Sequence, residues 1–334
     1  MKFILAFPIV LGGSLLALGS LGGAVVQPVE LIADAAFERG VCAAETDAAE
    51  RVVQWKVAGI PVWRINHHYS KSSYTNMDAY RVRADGFTFQ DDYGTLDLHP
   101  ADKSADFILG VNGEKEFGGV YRKQGEPWPH AYLTQRISNP KGHLDEKSPT
   151  ISEIAAIDFS ISIRLLQGER NLRAGHTPSR HAAQFLFFLT IQNLNRQSKG
   201  YGDYYWFGIS LYDDRYPVTS LHAMQDKGSP QKRGTDKLIF DVGVQPFTTR
   251  VVAAGNWVTV QGDILPHIVA GLREAWRQGY LPASQEFGDY RIGALVLGWE
   301  ITGLNDVSLA VKNLRTRAIL AAGKSPPDET RKSN

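Results

Sequence analysis

Glu300 stands in the run ALVLGWEITG, where every neighbour is apolar, small or neutral. A carboxylate in such a strand is costly unless it is exposed, paired or functional. If Val296, Gly298 and Glu300 share one open face, Gly298 leaves room for something to approach the backbone there. The alternative is a buried Glu–Arg pair or an edge position, since structural ion pairs mimic sites. Paired with Asp158 or Asp214, Glu300 would supply the two facing carboxylates that glycoside hydrolysis needs. Elimination from a uronate polysaccharide needs instead a Tyr or His base and an Arg, Asn or Gln to neutralise the acid. Tyr212, Arg164, Gln192 and His130 have those types on expected strands. Glu300, Asp158 and Tyr212 are therefore the candidate catalytic residues.

The segment DYYWFGISLYDD, residues 203–214, alternates with period two. Tyr205, Phe207, Ile209 and Leu211 fall on one face. Tyr204, Trp206, Ser210, Tyr212 and Asp214 fall on the other, with Arg215 at the strand end. Sugars present apolar CH faces and a rim of hydroxyls, which suits aromatic platforms beside side chains that make directed hydrogen bonds. The candidate ligand set is Tyr204, Trp206, Tyr212, Asp214 and Arg215, joined from other strands by Arg164, Gln192 and Glu300, and by Gln135 or Arg136. Aromatic residues also favour strands for packing alone, and Trp206 equally fits beneath a helix. Asp213, Asp214 and Arg215 equally fit a capped turn with a surface ion pair. Asp213 is expected to point away from this face unless the strand has already turned.

Metal and nucleophile motifs are sparse. His67 and His68 are adjacent, so on a strand they point to opposite faces and cannot readily share an ion. His176 and His181 flank TPSR without a ligand spacing. No HExxH, GxSxG or Walker sequence occurs. Cys42 is the single cysteine, which excludes an intrachain disulfide and a cysteine zinc cluster. The stretch DDYGTLD, Asp91 to Asp97, fits either a calcium ligand set or a polar hairpin turn around Gly94. No other cofactor is expected.

These side chains need strands to hold them. Alternation marks 157–165, with Ile157, Phe159, Ile161, Ile163 and Leu165 on one face. Residues 183–193 are apolar on both faces, as in a central strand. Further strands are expected at 79–90, 93–98, 106–111, 130–137, 237–245, 247–253, 256–261, 290–302 and 306–316. One amphipathic helix is expected at 264–278. Asp263 can cap it, Pro266 lies in its first turn and Gly279 ends it. The fold class is all-β, a jelly-roll-like β-sandwich of one domain over 25–322 with that helix inserted.

ELIADAAFERG, Glu30 to Gly40, supplies Leu31, Ile32, Phe37, Glu38 and Gly40, followed by Trp55 and Trp63. This opening, with the closing strand Val307 to Ala318, resembles galactose-binding-like jelly-roll modules. The Asn-Gly turn usual there is replaced by Ala33 to Ala36, and the body is longer. The resemblance implies a sandwich and a sugar ligand, with Glu38 structural or a calcium ligand.

Lys2 is the only charged residue before Glu30, and an apolar stretch leads to Gly22-Gly23-Ala24. That pattern predicts a signal peptide over 1–24 and a secreted or periplasmic protein. The alternative is an N-terminal membrane anchor, since ~20 apolar residues can span a bilayer. Cleavage would leave no stable membrane insertion. A net charge of +1 with no basic block argues against nucleic acid as a partner. Residues 323–334 are polar and read as a disordered tail. The expected function is carbohydrate binding or processing outside the cytoplasm. The alternatives are a polysaccharide lyase or glycoside hydrolase on the same fold, and an envelope assembly or adhesion protein that binds a protein partner.

Overall fold

A computed structural model describes residues 28–44, 51–54 and 56–323. The expected signal segment 1–24, Trp55 and all of the expected tail beyond Gly323 lie outside the described residues. In chain order the strands are β1 (Val29–Glu30), β2 (Val41–Ala44), β3 (Arg51–Val53), β4 (Trp63–His68), β5 (Tyr80–Arg83) and β6 (Gly86–Gln90). They continue as β7 (Gly94–Leu98), β8 (Phe107–Asn112), β9 (His130–Arg136), β10 (Ile154–Arg170), β11 (Ala183–Asn193) and β12 (Tyr204–Asp213). The last are β13 (His222–Gln225), β14 (Leu238–Asp241), β15 (Val258–Asp263), β16 (Tyr290–Ile301) and β17 (Asn305–Leu320).

They form two sheets. One runs β15-β10-β17-β8-β7-β6-β5, with β1 also on β17. The other runs β13-β14-β12-β11-β16-β9-β4-β2-β3. Their inner faces meet in one apolar core, so the protein is an all-β sandwich. The alternation read from sequence is the packing code. Phe159 of β10 meets Phe187 of β11 at 4.7 Å between ring centroids. Trp299 of β16 is fully buried and donates its indole N–H to the Leu109 carbonyl of β8 at 2.8 Å. A buried indole donor needs such a partner, and this one ties the sheets together.

The expected helix is present as α2 (Leu265–Arg277), after a short α1 (Gly113–Phe117). Asp263 serves its start by accepting from the Leu265 and Ile157 amides. The apolar stripe Leu265, Ile268, Leu272 and Ala275 is buried. Tyr205, on the inner face of β12, donates to the Ile268 carbonyl at 2.6 Å. A Cβ on Gly271 would come within 2.6 Å of the Tyr205 hydroxyl, so a glycine is required at that contact. The helix thus plugs the core side of β12 and leaves Trp206, one residue away, on the other face.

Two expectations fail locally. The single strand over 79–90 is a hairpin, β5 and β6, turning at 84–85. The strand over 247–253 is absent. Turn bonds from the Phe247 and Thr248 amides to the Val244 carbonyl hold Pro246 in a bend instead, as proline's missing N–H favours. In the segment before β2, Glu38 is half-buried and paired with Lys56 at 2.6 Å.

Candidate active site

The face of the nine-stranded sheet that is turned away from the core carries one transverse row of polar side chains. Register pairs His68 of β4 with His130 of β9, His130 with Glu300 of β16, Glu300 with Gln184 of β11, and Gln184 with Asp213 of β12. Five neighbouring strands each contribute one polar residue at the same level. Asp213 belongs to this row because of a bulge. Phe185 pairs with Tyr212 while Leu186 pairs with Ser210, so Leu211 is the extra residue on β12. A bulge of one residue exchanges the faces beyond it.

The same bulge corrects the expected ligand set. Tyr212 turns inward, meeting Trp299 edge-on at 5.9 Å. Asp214 follows, bridging the sheets by accepting from the Ala183 amide at 3.0 Å and Asn305 Nδ2 at 2.9 Å, and pairing with Arg170 at 3.0 Å. Neither faces the open side. Arg215 does not stand free for a ligand, because it clasps Asp213 through Nε at 2.8 Å and Nη2 at 2.5 Å.

Asp158 and Arg164 belong to β10 in the other sheet, on its outer face. Asp158 pairs with Arg317 at 2.7 Å and Arg315 at 3.2 Å. Arg164 lies over the Trp257 ring at 5.0 Å. Sheet membership therefore separates both from Glu300. Gln192, Tyr204 and Trp206 do share its sheet face, several residues away along the strands. Gln192 is held by the Gly202 carbonyl, and the Trp206 indole donates to Thr235 Oγ1 at 3.2 Å. Gln135 is buried and bonded to Ala33. What approaches the Gly298 backbone is the neighbouring strand β9. A Cβ there would lie 2.1 Å from the Ala131 carbonyl oxygen, and its φ is +154°.

The two carboxylates of the row differ in what they have left to offer. Asp213 accepts four hydrogen bonds, from the Arg215 amide, Nε and Nη2 and from Gln184 Nε2. That fills the acceptor sites of a carboxylate. Glu300 accepts two, from the Trp128 indole at 2.9 Å and the Tyr132 hydroxyl at 2.6 Å, with His130 Nε2 at 3.8 Å. Its remaining lone pairs are free and its side chain is 20% exposed. Burial drives His130 down to about 4, so its imidazole is neutral. Burial and the Glu300 charge push the Tyr132 phenol well up, so it remains a donor.

A cleft of about 790 Å³ opens on this row. Its floor includes Leu186, Phe188, Gln184, Asp213 and Glu300, and its walls include Arg122, Arg180, Tyr216 and Met224. Tyr216 and Met224 are exposed apolar surfaces at the rim. Beside the cleft, the 226–237 segment between β13 and β14 straps over the sheet. Ser229 donates to the Gly125 carbonyl, Arg233 N to the Tyr69 hydroxyl, and Lys232 sits 3.9 Å from the Trp128 ring centroid. Trp128 and Lys232 thereby cover the His130 end of the row and leave the Glu300–Asp213 end open. Sequence reasoning missed Trp128, Tyr132, Lys232 and Gln184. Only Gln184 had a local signal, as a polar residue inside an apolar strand.

Among the described residues no group of three or more His, Cys, Asp or Glu is gathered to hold a metal ion. The Asp91 carboxylate accepts from Ser72, Ser73, Tyr93 and Gly94, and Asp97 pairs with Arg83. These bonds hold the turn around Gly94 together. Among the described residues no helix is long and apolar enough to cross a membrane.

No protein-family model matches the chain, and no curated protein does. Among solved structures, it is similar to an endoglucanase from Rhodothermus marinus, with 8% identity and a TM-score of 0.37 over 71% of this chain and 93% of that one. It is also similar to the family 11 xylanase from Neocallimastix patriciarum, with 10% identity and a TM-score of 0.38 over 76% and 96%. A third is endoglucanase 3 of Trichoderma harzianum, from glycoside hydrolase family 12, with 14% identity and a TM-score of 0.31 over 72% and 98%.

Proposed function

We propose that the cleft binds a glycan and that Glu300 is the carboxylate that acts on it. The observation that carries this is the row Asp213–Gln184–Glu300, which sets two carboxylates on the floor of one cleft across three adjacent strands. Their backbones are two strand spacings apart, ~10 Å. Carboxyl pairs that cleave glycosidic bonds work at ~5–9.5 Å, a separation side chains can reach from such backbones. Glu300 has acceptor capacity to spare and two donors that fix its orientation, as a nucleophile or base requires. Asp213 has none to spare and its charge is met by Arg215, so its part is to fix Gln184 and Arg215 on the cleft floor beside Glu300. Leu186, Phe188 and Tyr216 offer apolar surface for sugar CH faces. The export expected from residues 1–24 would place this activity where polysaccharides occur.

The test is a polysaccharide panel assayed for binding, for new reducing ends and for absorbance of unsaturated products. Glu300→Gln is expected to lower the cleavage rate by at least ~10²-fold while binding stays within a few-fold. Binding without either product would leave the cleft a recognition site and refute the processing role. A panel with no binding at all would overturn the whole reading.

A further inference from the structure

The cleft wall holds two neighbouring arginines that no carboxylate reaches at ion-pair distance among the described residues. Arg122 and Arg180 both line it. Among the described residues neither forms an ion pair with a carboxylate. Arg122 Nη1 reaches only backbone, the carbonyls of Glu126 at 2.7 Å and Lys123 at 3.2 Å, and its buried Nε has no hydrogen-bond partner. Its guanidinium lies 4.7 Å from the Trp128 ring centroid, next to the indole that holds Glu300. Burial, and then the neighbouring Arg180 charge, lower the Arg122 pKa, and the Glu126 carboxylate opposes them only in part. The other cations of the region are answered, Arg215 by Asp213 and Lys232 by Asp226 at 3.8 Å.

The pair is also built in place. Thr177 N donates to His181 Nδ1 at 2.9 Å, which leaves the proton on Nε2 to donate to the Arg122 carbonyl at 3.1 Å. Tyr121 stacks on the same imidazole at 4.4 Å. His181 thus joins the loop of Arg180 to the loop of Arg122. Two like charges are held together at the mouth of a cleft, in a chain whose net charge is only +1. Such an arrangement costs energy in the free protein and is relieved by an oxyanion, which the planar guanidinium fork matches in geometry.

We infer that the ligand is an acidic glycan, whose carboxylate or sulfate oxygens are taken by Arg122 and Arg180. This rests on the reading that the cleft holds a glycan. A neutral glycan would leave both guanidinium groups without an ion-pair partner.

Calorimetric binding of three oligosaccharide probes tests it: an oligogalacturonate, its carboxyl-reduced neutral counterpart, and a sulfated galactan fragment. At least one acidic probe is expected to bind about tenfold or more tighter than the neutral one. Whether the uronate or the sulfated probe leads tells the two oxyanion sources apart. Arg122→Gln and Arg180→Gln are each expected to lose about tenfold for the acidic probe and to leave the neutral one within twofold. Arg122→Lys, which keeps the charge and not the fork, is expected to fall between. Arg196→Gln, at an exposed pair with Glu146 away from the cleft, is expected to change nothing. Equal binding of acidic and neutral probes, or unchanged binding in both cleft variants, overturns the inference and leaves the glycan cleft standing. Binding of none of the probes, and of no polysaccharide in the panel, removes the cleft reading itself and this inference with it.

Discussion

The Tyr132 hydroxyl donates to Oε1 of Glu300 at 2.6 Å, although its backbone partner on β16 is Gly298. The ring therefore reaches diagonally along the sheet face, and Gly298 has no side chain to stand in its way. Diagonal contacts of this length are within reach of aromatic side chains. Together with Trp128 on Oε2, Tyr132 sets which way the carboxylate faces the cleft.

Removing that hydroxyl tests the orientation. Tyr132→Phe keeps the ring and loses one hydrogen bond to a charged group, worth ~1.5–3 kcal/mol. Cleavage is expected to slow by at least ~10-fold, with KM changed little. Steady-state kinetics on whichever polysaccharide is cleaved would show a kcat effect; a change confined to KM would argue against this role.

His130 predicts a pH dependence of stability. Its native pKa is lowered by burial to about 4 from an ordinary 6.5. Between those values the unfolded chain binds a proton that the native state refuses. The contribution is complete above pH 6.5 and is lost as pH falls through about 4. Its size is roughly 3 kcal/mol, at 1.36 per pKa unit. Urea denaturation at both ends of that window should show a smaller acid loss in His130→Gln than in the parent protein. Parallel curves for the two proteins would contradict it.

Tyr212 should behave as a core residue. Tyr212→Ala removes a ring packed on Trp299 and is expected to cost ~3 kcal/mol, the range for emptying an aromatic site. Tyr212→Phe should cost far less and leave cleavage unchanged. A large drop in activity of Tyr212→Phe with normal stability would return this residue to the site.

The strap depends on two glycines. A Cβ on Gly234 would lie 2.3 Å from the Gly228 amide nitrogen and 2.5 Å from the Asp226 carbonyl oxygen. Gly234→Val must therefore push the two sides of the strap apart. Faster limited proteolysis within 226–237 is expected, with the thermal midpoint shifted by no more than a few degrees, because the strap lies outside the core. Unchanged proteolysis would show that the pinch at these glycines is not what closes the strap.

Much of the scaffold was legible in the residues. Residues 183–193 match β11 end to end, the alternation of 157–165 gives the inward face of β10, and the helix is one residue shorter at each end than expected. Glu300 stood out because a carboxylate is conspicuous in an apolar strand. Its partners did not. Trp128 and Lys232 come from irregular segments, where no period marks a direction. Asp158 looked as good a partner for Glu300 as Asp214 until strand order put it in the other sheet.

The division has a physical cause. By itself the sequence determined the inside and outside of each regular strand and the apolar side of α2, because a period of two or 3.6 residues is a local property of the chain. Tertiary structure alone decided which strands are neighbours, and a bulge at Leu211 decided that Asp213, not Tyr212 or Asp214, stands beside Gln184 and Glu300. Pairing between distant segments carries no local period, and one extra residue exchanges the faces of all that follow it.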